Sequence, residues 1–262
     1  MEAPVAVITG ASRGIGKQLA VDFARAGYDV VCLARSTGEH PTKLPGTVDD
    51  TAALVREAGR RALALALNVQ NEDEVAAVAE RVYAELGRCD VLINNAAVAV
   101  PGPTLELPTK RWRLAVDVNL NGPLYMAWHF CPRMAKAGGG SVVNISSFAA
   151  VTPEFGRISY SASKAALEVL TQGLAHELRD QRIAVNCIRL ELSVWSEGYA
   201  FTLPGQDTSD FEDPVIMSDA ALWLAKQPHD YTGHVLTIGE LRDLGAVRAP
   251  TRIADRSGWS QG

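Results

Sequence analysis

The sequence predicts an α/β fold: a single domain built on a doubly wound parallel sheet of about seven strands flanked by helices. Three observations carry that expectation. Short β-like runs alternate with longer amphipathic runs along the chain, the order that strand–helix crossovers produce. Most strand runs are continuously apolar rather than alternating, as strands covered on both faces must be. No repeat, composition break or low-complexity linker divides the 262 residues, a length that one large α/β domain accommodates.

The expected strands are 4–9 (PVAVIT), 29–34 (DVVCLA), 62–67 (ALALAL), 90–93 (DVLI), 141–145 (SVVNI), 183–188 (IAVNCI) and 234–238 (HVLTI). Helices are expected over 14–26, 48–59, 71–86, 109–136, 158–181 and 213–227, the last with Asp213 as a cap and Pro214 in its first turn. Two connections, 35–47 and 189–212, exceed the usual length in a compact domain and therefore read as functional or mobile. The domain is expected to span 1–240, including the 189–212 loop. Residues 241–262 read as a polar tail, either an ordered arm or a frayed end.

Composition excludes several classes. The net charge of −5, with both signs scattered, argues against nucleic acid or an anionic membrane as the main partner. Cys32, Cys89, Cys131 and Cys187 form no CxxC pair and read as buried reduced thiols, which suits a reducing compartment, usually the cytoplasm. No metal site is expected. The start, MEAPVAVITG, has neither a basic leader nor a long apolar run, so neither a signal peptide nor a membrane span is expected.

Thr9-Gly10-Ala11-Ser12-Arg13-Gly14-Ile15-Gly16 joins the first expected strand to the first helix. Glycines there let the backbone turn sharply and approach a pyrophosphate, while the helix N-terminus supplies unpaired N–H groups and the positive end of a dipole. The strand–turn–helix context is that of a Rossmann-type nucleotide site. An acid after the second strand would hold the ribose 2′-OH of NAD; here the chain reads Ala34-Arg35-Ser36. Arg35 can fork onto a 2′-phosphate and Arg13 can approach it from the other side, with Lys43 and His40 adding charge. The alternative is that these are solvated surface cations. NADP(H) is the expected cofactor.

Tyr160 and Lys164, four residues apart, share one face of the expected 158–181 helix. A tyrosine of pKa about 10 is a poor acid–base group near neutrality, and an adjacent ammonium favours its phenolate. Ser147, after the fifth strand, can hydrogen-bond a substrate oxygen. Alone, Tyr160 and Lys164 would pass for ordinary helical neighbours.

In order along the chain stand Thr9–Gly16, Asn94-Asn95-Ala96, Asn119, Ser147 and Tyr160-Ser161-Ala162-Ser163-Lys164. Over about 1–238 this set resembles the short-chain dehydrogenase/reductase family. The resemblance implies that Tyr160 is the acid–base residue and that Ser147 orients and polarises the substrate oxygen. It implies that Lys164 lowers the tyrosine pKa and binds the nicotinamide ribose, and that Asn119 holds a water of a proton relay. It maps Gly10, Ser12, Arg13, Gly14, Ile15, Gly16, Arg35, Asn68, Val69, Asn95, Ala96, Tyr160 and Lys164 to the cofactor. The segments 40–47, 107–114, 218–228 and 231–240 further resemble the hydroxysteroid dehydrogenase-like branch, which also lacks the usual Asp-Gly-Gly after the last strand.

The chain departs from the family pattern in three places. Asn68-Val69 stands for Asp-Val, and Ala97 for the glycine that usually follows Asn-Asn-Ala. After the sixth strand Leu190-Glu191 replaces Pro-Gly, and Trp195 stands where a threonine is usual, with Ser193 or Ser196 as substitute hydroxyls. Glu191 is expected to point to solvent, the alternative being that it faces the site. Phe148, Phe155, Trp195, Tyr199 and Phe201 are candidates for an apolar substrate pocket or, equally, for core or subunit contacts.

The expected function is hydride transfer between NADP(H) and a hydrophobic ketone, aldehyde or secondary alcohol. The alternatives are a dinucleotide-binding regulatory or scaffold protein of little turnover, and an isomerase or dehydratase that keeps the cofactor. The family resemblance implies a homodimer or homotetramer.

Overall fold

The computed structural model describes residues 2–197, 199, 205 and 207–252. The seven strands are β1 Val5–Thr9, β2 Asp29–Ala34, β3 Ala62–Ala66, β4 Val91–Asn94, β5 Gly140–Ser147, β6 Ile183–Leu190 and β7 Val235–Thr237. They form one parallel sheet in the order β3-β2-β1-β4-β5-β6-β7. β1 is buried at every position, which is why its sequence is uninterrupted Val-Ala-Val-Ile-Thr. Its side chains alternate between two cores: Ala6 and Ile8 join one, Val5 and Val7 the other.

The helices are α1 Gly14–Arg25, α2 Val48–Glu57, α3 Glu72–Leu86, α4 Thr109–Val116, α5 Gly122–Lys136, α6 Ile158–Glu177, α7 Val215–Ala225 and α8 Ile238–Asp243. Leu19 and Phe23 of α1, Val55 of α2, Leu224 of α7 and Leu241 of α8 fill one core. Val75 and Val82 of α3 with Met126, Phe130 and Met134 of α5 fill the other. Strand order reverses at β1, whose neighbours are β2 and β4. A crevice at the carboxyl ends of strands next to such a reversal is where open α/β sheets bind ligands.

Three details differ from the sequence expectations, and one start is explained. The expected 109–136 helix is split by a π turn at Asp117–Asn121, because Asn119 is drawn into tertiary hydrogen bonds and Gly122 is pressed against Val69. A Cβ at Gly122 would stand 3.0 Å from Val69 Cβ. The expected 158–181 helix ends at Glu177 and continues as a 3-10 turn, Arg179–Gln181. Thr47 and Asp50 form a capping box that starts α2. The expected boundary at 240 falls inside α8: Leu241 and Val247 are buried, and the Asp213 N–H donates to the Thr251 carbonyl at 3.0 Å. Residues 241–252 therefore pack on the domain, and the rest of the expected tail, 253–262, lies outside the described residues.

All four cysteines are buried thiols. Burial pushes Cys32, Cys131 and Cys187 up to about 12, so they stay protonated and unreactive at neutral pH. Among the described residues no helix is long and apolar enough to cross a membrane.

Candidate active site

The glycine turn between β1 and α1 is held by Asn95. Its amide Nδ2 donates to the carbonyls of Thr9 and Gly10 at 2.9 and 3.3 Å. The Asn95 and Ala96 N–H groups donate to Thr9 Oγ1 at 3.0 and 3.1 Å. Gly16 is obligatory for this geometry: a Cβ there would lie 2.2 Å from the Gly10 carbonyl oxygen. Gly10 and Gly14 adopt φ of +68° and +54°, which L side chains rarely tolerate. Ser12 is buried beneath the turn, and Ile15 packs against the core.

The Gly14 N–H, at the start of α1, is already paired with an anion. It donates to Glu197 Oε2 at 2.7 Å, and Lys17 Nζ donates to Glu197 Oε1 at 2.8 Å. The turn thus demonstrates affinity for an oxyanion through an internal carboxylate, as the exposed N–H and helix dipole dictate. Glu197 lies 183 residues from Gly14, and nothing in its local sequence marks it.

Arg13 and Arg35 take different roles. The Arg13 guanidinium donates to the carbonyls of Pro45, Leu44 and Gly46 at 2.7, 3.0 and 3.0 Å and to Thr42 Oγ1 at 3.0 Å. It clamps the 35–47 loop onto the glycine turn. Arg35 is exposed at the end of β2 and, among the described residues, makes no hydrogen bond or ion pair. Burial lowers the Arg13 pKa, Glu197 opposes that shift, and the neighbouring Arg35 charge adds to it. The two guanidiniums are therefore close enough to repel, and an anion between them would relieve that repulsion. His40 and Lys43 lie exposed on the same loop. Past β3, Asn68 Oδ1 accepts from Gln70 N and Nε2 at 3.3 and 2.9 Å, and Val69 is buried.

Ser147 ends β5, and Tyr160 and Lys164 lie a turn apart on α6. Burial raises the Tyr160 pKa, opposed by a hydrogen bond to Ser147 and by the Arg157 charge. The expected lowering by Lys164 is not what governs this arrangement. Lys164 Nζ lies 5.7 Å from the Tyr160 ring centre and donates to the Ile145 carbonyl at 2.6 Å. Burial lowers Lys164 itself to about 8, a shift that the nearby Glu168 carboxylate opposes.

Asn119 is fully buried in the π turn. Its Oδ1 accepts from the Val98 N–H at 2.8 Å, and its Nδ2 donates to the Val98 carbonyl at 2.9 Å and to Ser163 Oγ at 3.0 Å. Ser163 in turn donates to the Tyr160 carbonyl at 2.8 Å. This side chain ties the α4–α5 junction to the helix that carries Tyr160. π turns of this kind recur at functional sites.

Two buried networks around the site were not anticipated. Asn94 Nδ2 donates to Asn144 Oδ1 at 2.8 Å, and Asn144 Nδ2 to Thr171 Oγ1 at 2.9 Å, joining β4, β5 and α6. Glu168 accepts from Ser146 Oγ at 2.8 Å and from Arg189 at 3.0 and 2.6 Å. Its position four residues after Lys164, on the same helix face, is the signal that points to it.

The segment after β6 corrects one expectation. Glu191 does not point to solvent. Its carboxylate accepts from the Ile238 and Gly239 N–H groups at 2.9 and 2.6 Å and caps α8, where the N-terminal dipole favours it. Ser193 is exposed, whereas Ser196 is half-buried against Gly14. Among the pocket candidates, Phe148 is half-exposed and Phe155 is 91% exposed, so Phe155 packs into no wall formed by the described residues. Trp195 is half-buried, its N–H bonded to the Glu212 carbonyl at 3.1 Å. The Tyr199 ring stands edge-on to Phe211 with centres 4.9 Å apart. Phe201 lies outside the described residues. Among the described residues no cluster of metal-ligating side chains is present.

A family model described as short chain dehydrogenase matches residues 4–192. Hydroxysteroid dehydrogenase-like protein 2 of Xenopus tropicalis is 31% identical over 237 residues, covering 89% of this chain and 56% of that protein. The chain thus spans about half the length of the curated relatives of this kind. Cis-4-hydroxycyclohexanecarboxylate dehydrogenase of Sinomonas cyclohexanicum is 37% identical over 199 residues, 76% of this chain and 74% of that one. A crystal structure of a metagenomic short-chain oxidoreductase in complex with NADP superposes with a TM-score of 0.75 at 32% identity, over 90% of this chain and 96% of that one.

Proposed function

Because this chain belongs to the short-chain dehydrogenase family, we propose that it transfers a hydride between NADP(H) and a hydrophobic ketone, aldehyde or secondary alcohol, with Tyr160 as the acid–base residue. The observation that carries this reading is the convergence of Ser147, Tyr160 and Lys164 at the carboxyl end of β5, two strands along the sheet from β1 and its glycine turn. When bound, the nicotinamide supplies or accepts the hydride. The chain's own residues handle the proton. In reduction the Tyr160 phenol donates it to the carbonyl oxygen, and in oxidation the phenolate takes it from the alcohol. The Ser147 hydroxyl donates a hydrogen bond to the same oxygen and so stabilises the charge that develops there. Lys164, protonated below about 8, is the nearby positive charge that makes a phenolate accessible once it turns from Ile145 toward the ribose and phenol.

NADP(H) is favoured over NAD(H) because Arg35 is exposed and unpaired beside Arg13 at the end of β2, and no acid there would repel a 2′-phosphate. Phe148, Trp195 and Tyr199 are the apolar candidates for substrate contact, which fits the alicyclic alcohol named for the Sinomonas relative. Exposed Trp112, Trp128 and Val169 on α4, α5 and α6 offer an apolar surface for a homodimer or homotetramer. The four buried thiols suit a reducing, cytoplasmic setting.

One observation favours a second reading, a dinucleotide-binding protein of regulatory or scaffold role with little turnover: after β6, Leu190-Glu191 and Trp195 stand where the family usually has Pro-Gly and threonine, and Glu191 is committed to α8. A panel of carbonyls and secondary alcohols assayed with NADPH and NADH, on wild type and Tyr160→Phe, separates the two. The enzymatic reading expects turnover that falls by about 10²-fold or more in Tyr160→Phe. Cofactor binding without turnover across the panel selects the second reading, and turnover unchanged in Tyr160→Phe removes Tyr160 from the mechanism.

A further inference from the structure

Glu197 stands where the cofactor reading above places a diphosphate, and the inference drawn here rests on that reading. Gly14 is the first residue of α1, so its N–H points at the positive end of the helix. That N–H is spent on Glu197 at 2.7 Å, and Lys17, one turn into the helix, is spent on the other carboxylate oxygen at 2.8 Å. Ser196 is pressed onto the same glycine: a Cβ at Gly14 would lie 2.9 Å from Ser196 Cβ. An ordinary surface ion pair would involve Lys17 alone and would contribute little. This carboxylate also takes a backbone donor of the phosphate-binding turn. Burial pulls Glu197 upward, but Lys17, its own backbone N–H and the Gly14 N–H together hold it below the usual carboxylate range. It is therefore ionised at neutral pH and mimics a phosphate oxygen in both charge and geometry.

We propose that Glu197 is an internal competitor for the cofactor diphosphate, which must displace it from Gly14 and Lys17 in order to bind. One N–H serves one acceptor in this geometry, and a diphosphate and a carboxylate side by side on the turn repel each other. Displacement releases Lys17 to meet the incoming phosphate. Glu197 thereby lowers affinity for every dinucleotide without discriminating between NADP and NAD, whose diphosphates are identical.

Calorimetric titration of the full chain tests this, using wild type, Glu197→Gln and Glu197→Ala. The probes are NADP⁺, NAD⁺ and adenosine 2′-monophosphate, which carries the 2′-phosphate but no diphosphate. Both variants are expected to bind NADP⁺ about tenfold more tightly than wild type, with NAD⁺ tightened by a similar factor. Affinity for adenosine 2′-monophosphate is expected to stay within about twofold. Thermal unfolding of each variant accompanies the titration, because a residue that only caps α1 would lower Tm and tighten nothing. NADP⁺ affinity unchanged or weakened in both variants, with wild type binding normally, overturns the competitor role and leaves the cofactor reading standing. Equal tightening of adenosine 2′-monophosphate also overturns it, since that ligand never meets the turn's diphosphate site. If wild type binds no dinucleotide but the variants do, the competition is complete and the proposal holds. If no form binds any dinucleotide, the cofactor reading fails and takes the proposal with it.

Discussion

Replacing Gly16 with alanine inserts one methyl group at the tightest point of the candidate cofactor site. The new Cβ would lie 2.2 Å from the Gly10 carbonyl oxygen and 2.6 Å from Asn95 Nδ2. Real Cβ contacts stay beyond 3.0 Å, so the turn must open by about 0.8 Å against its own backbone. Helix propensity works the other way, favouring alanine over glycine by about 1 kcal/mol. Overpacking of this kind costs about 1–3 kcal/mol, at the upper end when the atom struck is backbone rather than a flexible side chain. The steric effect wins, and Gly16→Ala is expected to lose about 1–2 kcal/mol. Gly173→Ala is the matched control: it lies within α6, and its Cβ would meet nothing within 4 Å, so it is expected to gain about 0.5–1 kcal/mol. Urea unfolding measures both. Calorimetry with NADP⁺ reads the site: Gly16→Ala is expected to lose at least about tenfold in affinity, some 1.4 kcal/mol, and Gly173→Ala none. If Gly16→Ala matches Gly173→Ala in both stability and binding, the reasoning about close approach in the glycine turn is wrong.

Arg35→Ala is expected to lower NADPH preference over NADH by about tenfold or more by removing a charge-assisted phosphate contact; parallel kcat/KM measurements with the two cofactors check it, and an unchanged ratio refutes the role. For Lys164, burial lowers the pKa from 10.5 to about 8. Between those values the unfolded chain binds more protons than the folded one, so this group's contribution to stability rises with pH across that window. The unfolding free energy of wild type minus that of Lys164→Met is therefore expected to increase by about 2–3 kcal/mol between pH 7 and pH 10.5; a flat difference would mean that Lys164 is not desolvated. Glu191→Ala removes a carboxylate that caps α8 through two N–H groups and is expected to cost about 1–2 kcal/mol in urea unfolding. A neutral result there would mean that the pairing between the end of β6 and α8 contributes nothing.

The sequence by itself determined the sheet and the position of the candidate site. Continuous apolar runs such as Val5–Thr9 can only be strands covered on both faces, and the order of elements then fixes a parallel sheet. Gly10, Gly14 and Gly16 announce a turn that tolerates no side chain. Tyr160 and Lys164 meet because four residues make about one helical turn. These are local properties, set by backbone geometry and side-chain period, and they are legible without knowing what lies across the fold. Partner choice among charged and amide groups was not legible, because a carboxylate carries no address in its own sequence. Glu191 reads as a solvent-facing replacement for glycine, yet it caps α8, 47 residues away. The Asn119 side chain bonds Val98 and Ser163, partners that nothing in its local sequence names. Arg13 and Arg35 look equivalent, and only the packing of the 42–46 loop commits one to structure and leaves the other exposed. Glu197 reaches Gly14 across 183 residues of sequence, a consequence of the tertiary path after β6 rather than of any local pattern. Short-range geometry therefore wrote the fold and the helix that carries Tyr160 and Lys164 into the sequence, while the tertiary arrangement alone decided which buried N–H groups and cations each ionised side chain would satisfy.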